Sequence, residues 1–238
     1  MADQGREEAD GGADSVGAPG PAEPSSGPER AAAALLFGER EGLAIRYATL
    51  LTTTGISHGL IGPREAPRVW GRHLLNCAAL VELLPSTGTV ADVGSGAGLP
   101  GLVLAIARPA LEVVLIEPLE RRVRWLESVL TELELDNVSV VRARAEEVDK
   151  RFDVVTARAV APLTTLARWC LPLVRPGGRL LAMKGSSAAE ELAGARATLR
   201  RMRAGDADIQ TCGAGIIDPP TTVIVVRGAP GLRRPTRS

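Results

Sequence analysis

From about residue 87 to residue 227, short apolar runs alternate with longer stretches whose apolar positions recur every three or four residues. The runs predict strands at 89–93, 112–116, 138–142, 152–156, 179–183, 208–212 and 221–227. Between them the pattern predicts helices from about 99 to 107, stopped by Pro109, from 119 to about 133, over 163–174 and over 187–203. Pro176-Gly177-Gly178 reads as a turn into the fifth strand. Such alternation predicts a mostly parallel, doubly wound α/β sheet of seven strands, the last two paired like a hairpin.

Upstream, Leu35, Leu36, Leu43, Ile45, Tyr47 and Leu50 suit a helix over 30–51 packed on one face. A Gly/Thr break and Gly62-Pro63 separate it from a second helical stretch, about 66–84, that ends at Pro85. Residues 1–29 are rich in Gly, Ala, Pro, Ser and acids and predict a disordered leader. The chain therefore divides into a leader (1–29), an N-terminal helical extension packed on the core (30–86), the α/β core (87–227) and a basic flexible tail (228–238).

Composition narrows the class. With 238 residues, 45% apolar and 24% charged, the chain can bury one full core. No apolar run approaches the ~20 residues a membrane-spanning helix needs, and the N-terminus lacks the apolar core of a signal peptide. A cytoplasmic protein, off the membrane, is the expectation. Cys77, Cys170 and Cys212 are isolated, with no Cys-x-x-Cys pair or His cluster, so they read as reduced core thiols and no metal is expected. Net charge is zero, but residues 1–30 hold seven acids against Arg6 and Arg30. The body is thus mildly basic, and Arg227, Arg233, Arg234 and Arg237 crowd the C-terminus without an acid, which permits an RNA partner.

The chemistry concentrates after the first predicted strand, in Asp92-Val93-Gly94-Ser95-Gly96-Ala97-Gly98-Leu99-Pro100-Gly101. Glycines at every second position make a turn tight enough to press backbone against a nucleotide-like ligand at a sheet's carboxyl edge. The dinucleotide fingerprint needs glycine at position 99, where Leu99 stands. The pattern Asp-x-Gly-x-Gly-x-Gly looks like motif I of the S-adenosylmethionine (SAM)-dependent methyltransferases. Asp92, Gly94, Gly96, Gly98 and Leu99 are therefore candidate cofactor residues. Glu117 ends the second strand, where an acid accepts from ribose hydroxyls or simply starts a helix.

Ala145-Glu146, after the third strand, either reads an adenine edge or initiates a helix. Arg158, after the fourth, is costly to bury without an anion; a carboxylate or RNA phosphate would satisfy it, and so would a salt bridge to Asp92. Lys184, ending the fifth strand, points to the same edge, for RNA or for solvent. Arg121, Arg122 and Arg124 form either a solvated helix face or a phosphate contact. The chain lacks the [DN]-P-P-[YF] element after strand four that grips an exocyclic amine; Asp218-Pro219-Pro220 lies elsewhere and reads as a turn. A Pro-Cys nucleophile is missing as well. A ring nitrogen with its own lone pair, such as guanine N7, needs neither.

Arg72-His73-Leu74-Leu75-Asn76, the glycine motif, Glu117 with Arg121-Arg122-Val123, Ala145-Glu146, Ala157-Arg158-Ala159 and Lys184-Gly185 follow in order. This set is similar to the RsmG family (glucose-inhibited division protein B), the ribosomal small-subunit RNA guanine-N7 methyltransferases. Gly59-Leu60-Ile61-Gly62-Pro63-Arg64-Glu65 resembles its actinobacterial members, and the likeness covers roughly residues 32–227. The resemblance implies a seven-stranded class I SAM-dependent methyltransferase (Rossmann-like) fold with N-terminal helices. It implies SAM contacts at Gly94, Leu99, Ala145, Glu146 and Arg158. The acceptor it implies is a guanine of the 530 loop of 16S rRNA (guanine 527 in the usual rRNA numbering).

Arg158 and His73 are the catalytic candidates under that resemblance. His73 falls in the family's R-H motif, where it acts directly or only bonds a neighbouring loop. Lys184, Arg121 and Arg122 are candidates for RNA. The family pattern has Asp where Asn76 stands, and many members have Asp at Glu117; both substitutes keep oxygen acceptors. The partner is expected to be 16S rRNA or the small ribosomal subunit, and the protein a monomer. A SAM- or rRNA-binding ribosome assembly factor without turnover, and a nucleotide-dependent oxidoreductase, stay open as alternatives.

Overall fold

A computed structural model describes residues 22–228. Its seven strands are β1 (Gly88–Val93), β2 (Leu111–Ile116), β3 (Val138–Val141), β4 (Phe152–Arg158), β5 (Val174–Lys184), β6 (Ala207–Cys212) and β7 (Thr221–Arg227). They form one sheet in the order β3-β2-β1-β4-β5-β7-β6. Every pairing is parallel except those of β7, which runs antiparallel to β5 and to β6. The fold is the seven-stranded α/β architecture that the hydrophobic pattern predicts.

Alternation along each strand sorts the core into two layers. Val90, Val113, Val154, Leu181 and Val223 face one side, and Ala91, Val114, Val155, Leu180 and Ile224 the other. The second side is covered by α6 (Leu163–Cys170) and α7 (Ala188–Arg201). The first is covered by α4 (Gly101–Ala107), α5 (Glu120–Leu133) and the whole N-terminal helical region. That region comprises α1 (Gly27–Phe37), α2 (Glu41–Leu50) and a wider helical turn over Leu51–Gly55. A second stretch follows from Pro63 to Leu83, of which Asn76–Ala78 is α-helical (α3). The N-terminal helices are thus one half of a core layer. In α5, Val123, Leu126, Val129 and Leu133 turn inward while Arg121, Arg124 and Glu127 stay exposed, as the helical spacing requires. Glu134 ends it in a left-handed conformation, its N–H returning to Leu130.

Several boundaries differ from the sequence expectation for identifiable reasons. Residues 22–29 do not belong to a disordered leader. Ser26 Oγ accepts from Glu29 N–H at 3.2 Å and caps α1, and Trp70 Nε1 donates to the Ala22 carbonyl at 2.7 Å. The rest of the expected leader and the tail after 228 lie outside the described residues. Pro176-Gly177-Gly178 lies inside β5, because the β4–β5 register jumps from Phe152↔Val174 to Val154↔Arg179 and absorbs the extra residues. The helix expected over 163–174 ends at Cys170, where Pro172 enters a 3₁₀ turn. β4 runs on to Arg158, and α4 begins only at Gly101. All three cysteines are free and buried. No helix among the described residues is long and apolar enough to cross a membrane.

Candidate active site

A cavity of about 730 Å³ opens at the carboxyl edge of the parallel strands, within the size range of cofactor pockets. The turn after β1 forms its floor. Gly94 N–H donates to the Ile116 carbonyl at 2.8 Å, and Gly98 N–H to the Ser95 carbonyl at 2.7 Å. Gly94 and Gly98 both have positive φ, at 69° and 84°. A Cβ on Gly94 would meet Val160 at 2.9 Å, and one on Gly98 would meet Leu102 at 2.3 Å. Gly94, Gly96 and Leu99 line the cavity. Gly98 does not; it shapes the turn against α4.

Asp92 also stays out of the cavity, a correction to its expected contact with the cofactor. It is fully buried, and its Oδ2 accepts from Gly101 N–H at 3.0 Å, tying β1 to the start of α4. Its Oδ1 has no hydrogen-bond partner. Burial outweighs the Gly101 hydrogen bond and pushes the carboxyl up to about 7. The contact is close because residue 101 is glycine: a Cβ there would lie 2.3 Å from Leu115 Cδ2.

Glu117 combines both of its readings. Its side chain is almost fully buried at the cavity wall. Oε2 accepts from Gly96 N–H and Oε1 from Leu119 N–H, each at 3.0 Å. It therefore clamps the glycine turn to the start of the next helix while facing the cavity. Arg122 lies 3.6 Å from Glu117 Oε2 and lines the same wall, with its side chain 37% exposed. Arg121 is exposed, with no ion pair among the described residues. Arg124 pairs with Glu120. Ala145, buried, and Glu146, exposed, line the cavity from a single 3₁₀ turn after β3.

Across from the glycine turn stands Arg158. It does not bridge Asp92. Its guanidinium reaches His73 Nδ1, Cys77 Sγ at 3.1 Å and the Arg72 carbonyl at 3.5 Å, all uncharged acceptors. It makes no ion pair with a carboxylate among the described residues and lines the cavity. His73 Nε2 sits 3.0 Å from Glu65 Oε2. Burial, followed by the Arg158 charge, pulls His73 down to about 4. The neutral ring thus accepts from Arg158 at Nδ1 and donates to Glu65 from Nε2–H.

Lys184 corrects another expectation. Its Nζ is 2.7 Å from Glu191 Oε2 and donates to the Ala161 carbonyl at 2.9 Å, with a side chain only 8% exposed. The lysine ties β5 to α7, with its ammonium engaged by these two acceptors.

The sequence did not single out Glu65, although it ends the segment that carries the family likeness. Nor did it reveal that Leu60, Ile61 and Gly62 line the cavity, or that Tyr47 O–H donates to the Ala97 carbonyl at 2.6 Å and props the glycine turn from α2. Tyr47 and Ala97 stand 50 residues apart, and local pattern carries no trace of such a contact. Trp169, on α6, also lines the cavity.

Comparisons with known proteins show the family of the chain. A family model described as rRNA small subunit methyltransferase G matches residues 40–218. Proteins named ribosomal RNA small subunit methyltransferase G are similar along most of the chain. The Salinispora arenicola protein is 58% identical, covering 88% of this chain and 90% of its own. That of Thermobifida fusca is 54% identical (87% and 88%), and that of Rhodococcus jostii 52% (91% and 97%). Among solved structures, a putative S-adenosyl-L-methionine-dependent methyltransferase from Methanococcus maripaludis superposes with a TM-score of 0.52 at 13% identity, covering 81% of this chain and 94% of that one. This last likeness concerns the fold. The chain belongs to the rRNA small subunit methyltransferase G family.

Proposed function

We propose that this family member transfers a methyl group from SAM to N7 of a guanine in the 530 loop of 16S rRNA. The observation that carries the reading is one cavity bounded by the glycine turn with Glu117 on one side and an arginine without a carboxylate partner on the other. The residues present fit SAM. The glycine turn leaves no side chain between backbone and ligand, the Glu117 carboxylate retains lone pairs toward the cavity, and Arg158 supplies the charge that a methionine carboxylate requires. Gly94, Gly96, Leu99, Glu117, Ala145, Glu146 and Arg158 would hold it. When bound, SAM supplies an electrophilic methyl on a sulfonium.

Guanine N7 carries no proton, so the transfer needs no general base. His73 is engaged on both nitrogens and Asp92 lies beneath the turn, so neither is placed to serve as one. The protein's part is alignment and exclusion of water. Leu60, Ile61 and Leu119 supply apolar wall, and the acidic lining of the cavity favours a purine that gains positive charge. Asp92 and Gly98 act through the shape of the turn. The partner under this reading is 16S rRNA or the small subunit, approached by a cytoplasmic monomer. Exposed Arg121 is the phosphate contact that survives from the sequence candidates.

The test incubates the protein and methyl-labelled SAM with 16S rRNA and with small subunits lacking the modification, then maps the label. Label on guanine N7 in the 530 loop is expected. Label on another atom, or SAM binding without transfer to either substrate, would overturn the reading in favour of a different acceptor or an assembly factor.

A further inference from the structure

The guanidinium of Arg158 is held by His73, Cys77 and the Arg72 carbonyl, all from the N-terminal region. His73 stands in the middle, with Arg158 on Nδ1 and Glu65 Oε2 on Nε2 at 3.0 Å. Glu65 is itself fixed. Arg72 Nε lies 3.2 Å from the same oxygen, and Arg68 contributes a longer contact of 3.3 Å to Oε1. Its side chain is 22% exposed and lines the cavity rim next to Gly62.

The order of charges is what makes the chain directional. Glu65 accepts a proton-bearing nitrogen, which fixes the neutral imidazole in the tautomer whose lone pair is on Nδ1. That lone pair is the acceptor Arg158 uses. Without Glu65 the ring is free to place its proton on Nδ1, where it would face the guanidinium donor to donor. An arginine aimed by neutral acceptors keeps its full charge for a ligand, whereas one aimed by a carboxylate would be neutralised in place.

We propose that Glu65 is a positioning residue that acts through His73 to aim the Arg158 guanidinium at the anionic end of the methyl donor. The inference rests on the reading of the cavity as a SAM site. It assigns to the start of the second N-terminal helical stretch a role in cofactor recognition.

The experiment is a double-mutant cycle on the full chain, reading the SAM dissociation constant by calorimetry and kcat and KM for methyl transfer. Loss of a charge-assisted hydrogen bond corresponds to roughly a tenfold to hundredfold weakening. Glu65→Ala is expected to weaken SAM binding about tenfold and to raise KM for SAM more than it lowers kcat. Glu65→Gln, which keeps an acceptor oxygen for Nε2–H, should recover most of the affinity. In the Arg158→Ala background, Glu65→Ala should add little, because the residue it acts on is gone. Arg124→Ala, which removes an exposed charge outside this cluster, should leave SAM affinity unchanged.

A Glu65→Ala protein that binds SAM like wild type overturns the proposal. Effects of Glu65→Ala and Arg158→Ala that add in full, or failure of Gln to rescue, overturn it as well, since a loosened segment would produce both. Absence of SAM binding by the wild type would instead remove the reading of the cavity. If Glu65→Ala does not fold, His73→Phe, which removes the Nδ1 acceptor, is expected to weaken SAM binding about tenfold in the wild-type background and to add little to Arg158→Ala; wild-type affinity in His73→Phe overturns the proposal.

Discussion

Glu117 Oε2 accepts the backbone N–H of Gly96 at 3.0 Å, joining the end of β2 to the turn that follows β1. The same carboxylate holds Leu119 N–H, so two adjacent strand ends and the start of α5 depend on one side chain. Glu117→Ala leaves both N–H groups without their acceptor in a nearly closed place. Such a loss costs on the order of 1–3 kcal/mol. The variant should melt at lower denaturant and bind SAM at least about tenfold more weakly, by urea titration and calorimetry. Unchanged SAM affinity would mean that the turn keeps its shape unaided.

Gly101 has no positive φ to protect, so its substitution isolates crowding. A Cβ would lie 2.3 Å from Leu115 Cδ2 and 2.8 Å from Asp92 Oδ2. Overpacking of this kind costs roughly 1–3 kcal/mol. Gly101→Ala should therefore lower stability by that order in urea melts, and by less when introduced into a Leu115→Ala background, where the shortened side chain leaves room for the Cβ. A stable Gly101→Ala protein would show that α4 slides freely along β1.

Two buried groups shift in opposite senses and mask each other in pH. Asp92 is raised from 3.8 to about 7, so the folded protein binds the extra proton and this contribution fades as pH climbs through that window. His73 is lowered from 6.5 to about 4, so the unfolded chain binds the extra proton and stability grows with pH between those values. Each contributes a slope of up to about 1.4 kcal/mol per pH unit. Their sum is nearly flat between pH 4 and 6.5. Asp92→Asn should expose the rising slope of His73, and His73→Gln the falling slope of Asp92, in urea melts across that range. Parallel curves for all three proteins would sink the assignment.

Lys184 and Arg121 part company in RNA binding. Lys184 is locked between Glu191 and the Ala161 carbonyl, so Lys184→Met should cost stability and leave the salt dependence of RNA affinity alone. Arg121 is exposed and unpaired among the described residues. Arg121→Ala should reduce the slope of log affinity against log salt by about one unit. The reverse pattern would return the phosphate contact to β5.

The parts of this molecule written locally were legible. Alternation placed all seven strands within a few residues, and the 94–98 glycines marked the turn that floors the cavity. The β5 boundary was missed because a bulge, which only its pairing with β4 defines, hides Pro176-Gly177-Gly178 inside the strand. In the site, Glu117 and Arg158 were found because each sits where a strand ends. Lys184 sits at such a place too, and its role was misread. Its partner, Glu191, arrives from the following helix at a distance that pattern does not encode. Glu65, Tyr47 and Trp169 escaped for the same reason: only folding brings them to the cavity.

The position of β7 between β5 and β6 has a consequence for the chain as it is made. Thr221–Arg227 is the last element in chain order among the described residues, yet it is an interior strand. Until it arrives, β6 has no neighbour, and β5 presents an open row of backbone donors and acceptors. Once seated, Thr221 Oγ1 donates to the Asn76 carbonyl at 2.8 Å, three residues beyond His73. The final strand therefore closes a vulnerable edge and meets the segment that supplies His73 in a single step. A nascent protein stalled before residue 221 would be sticky and unfinished at once, so quality control has one late event to watch.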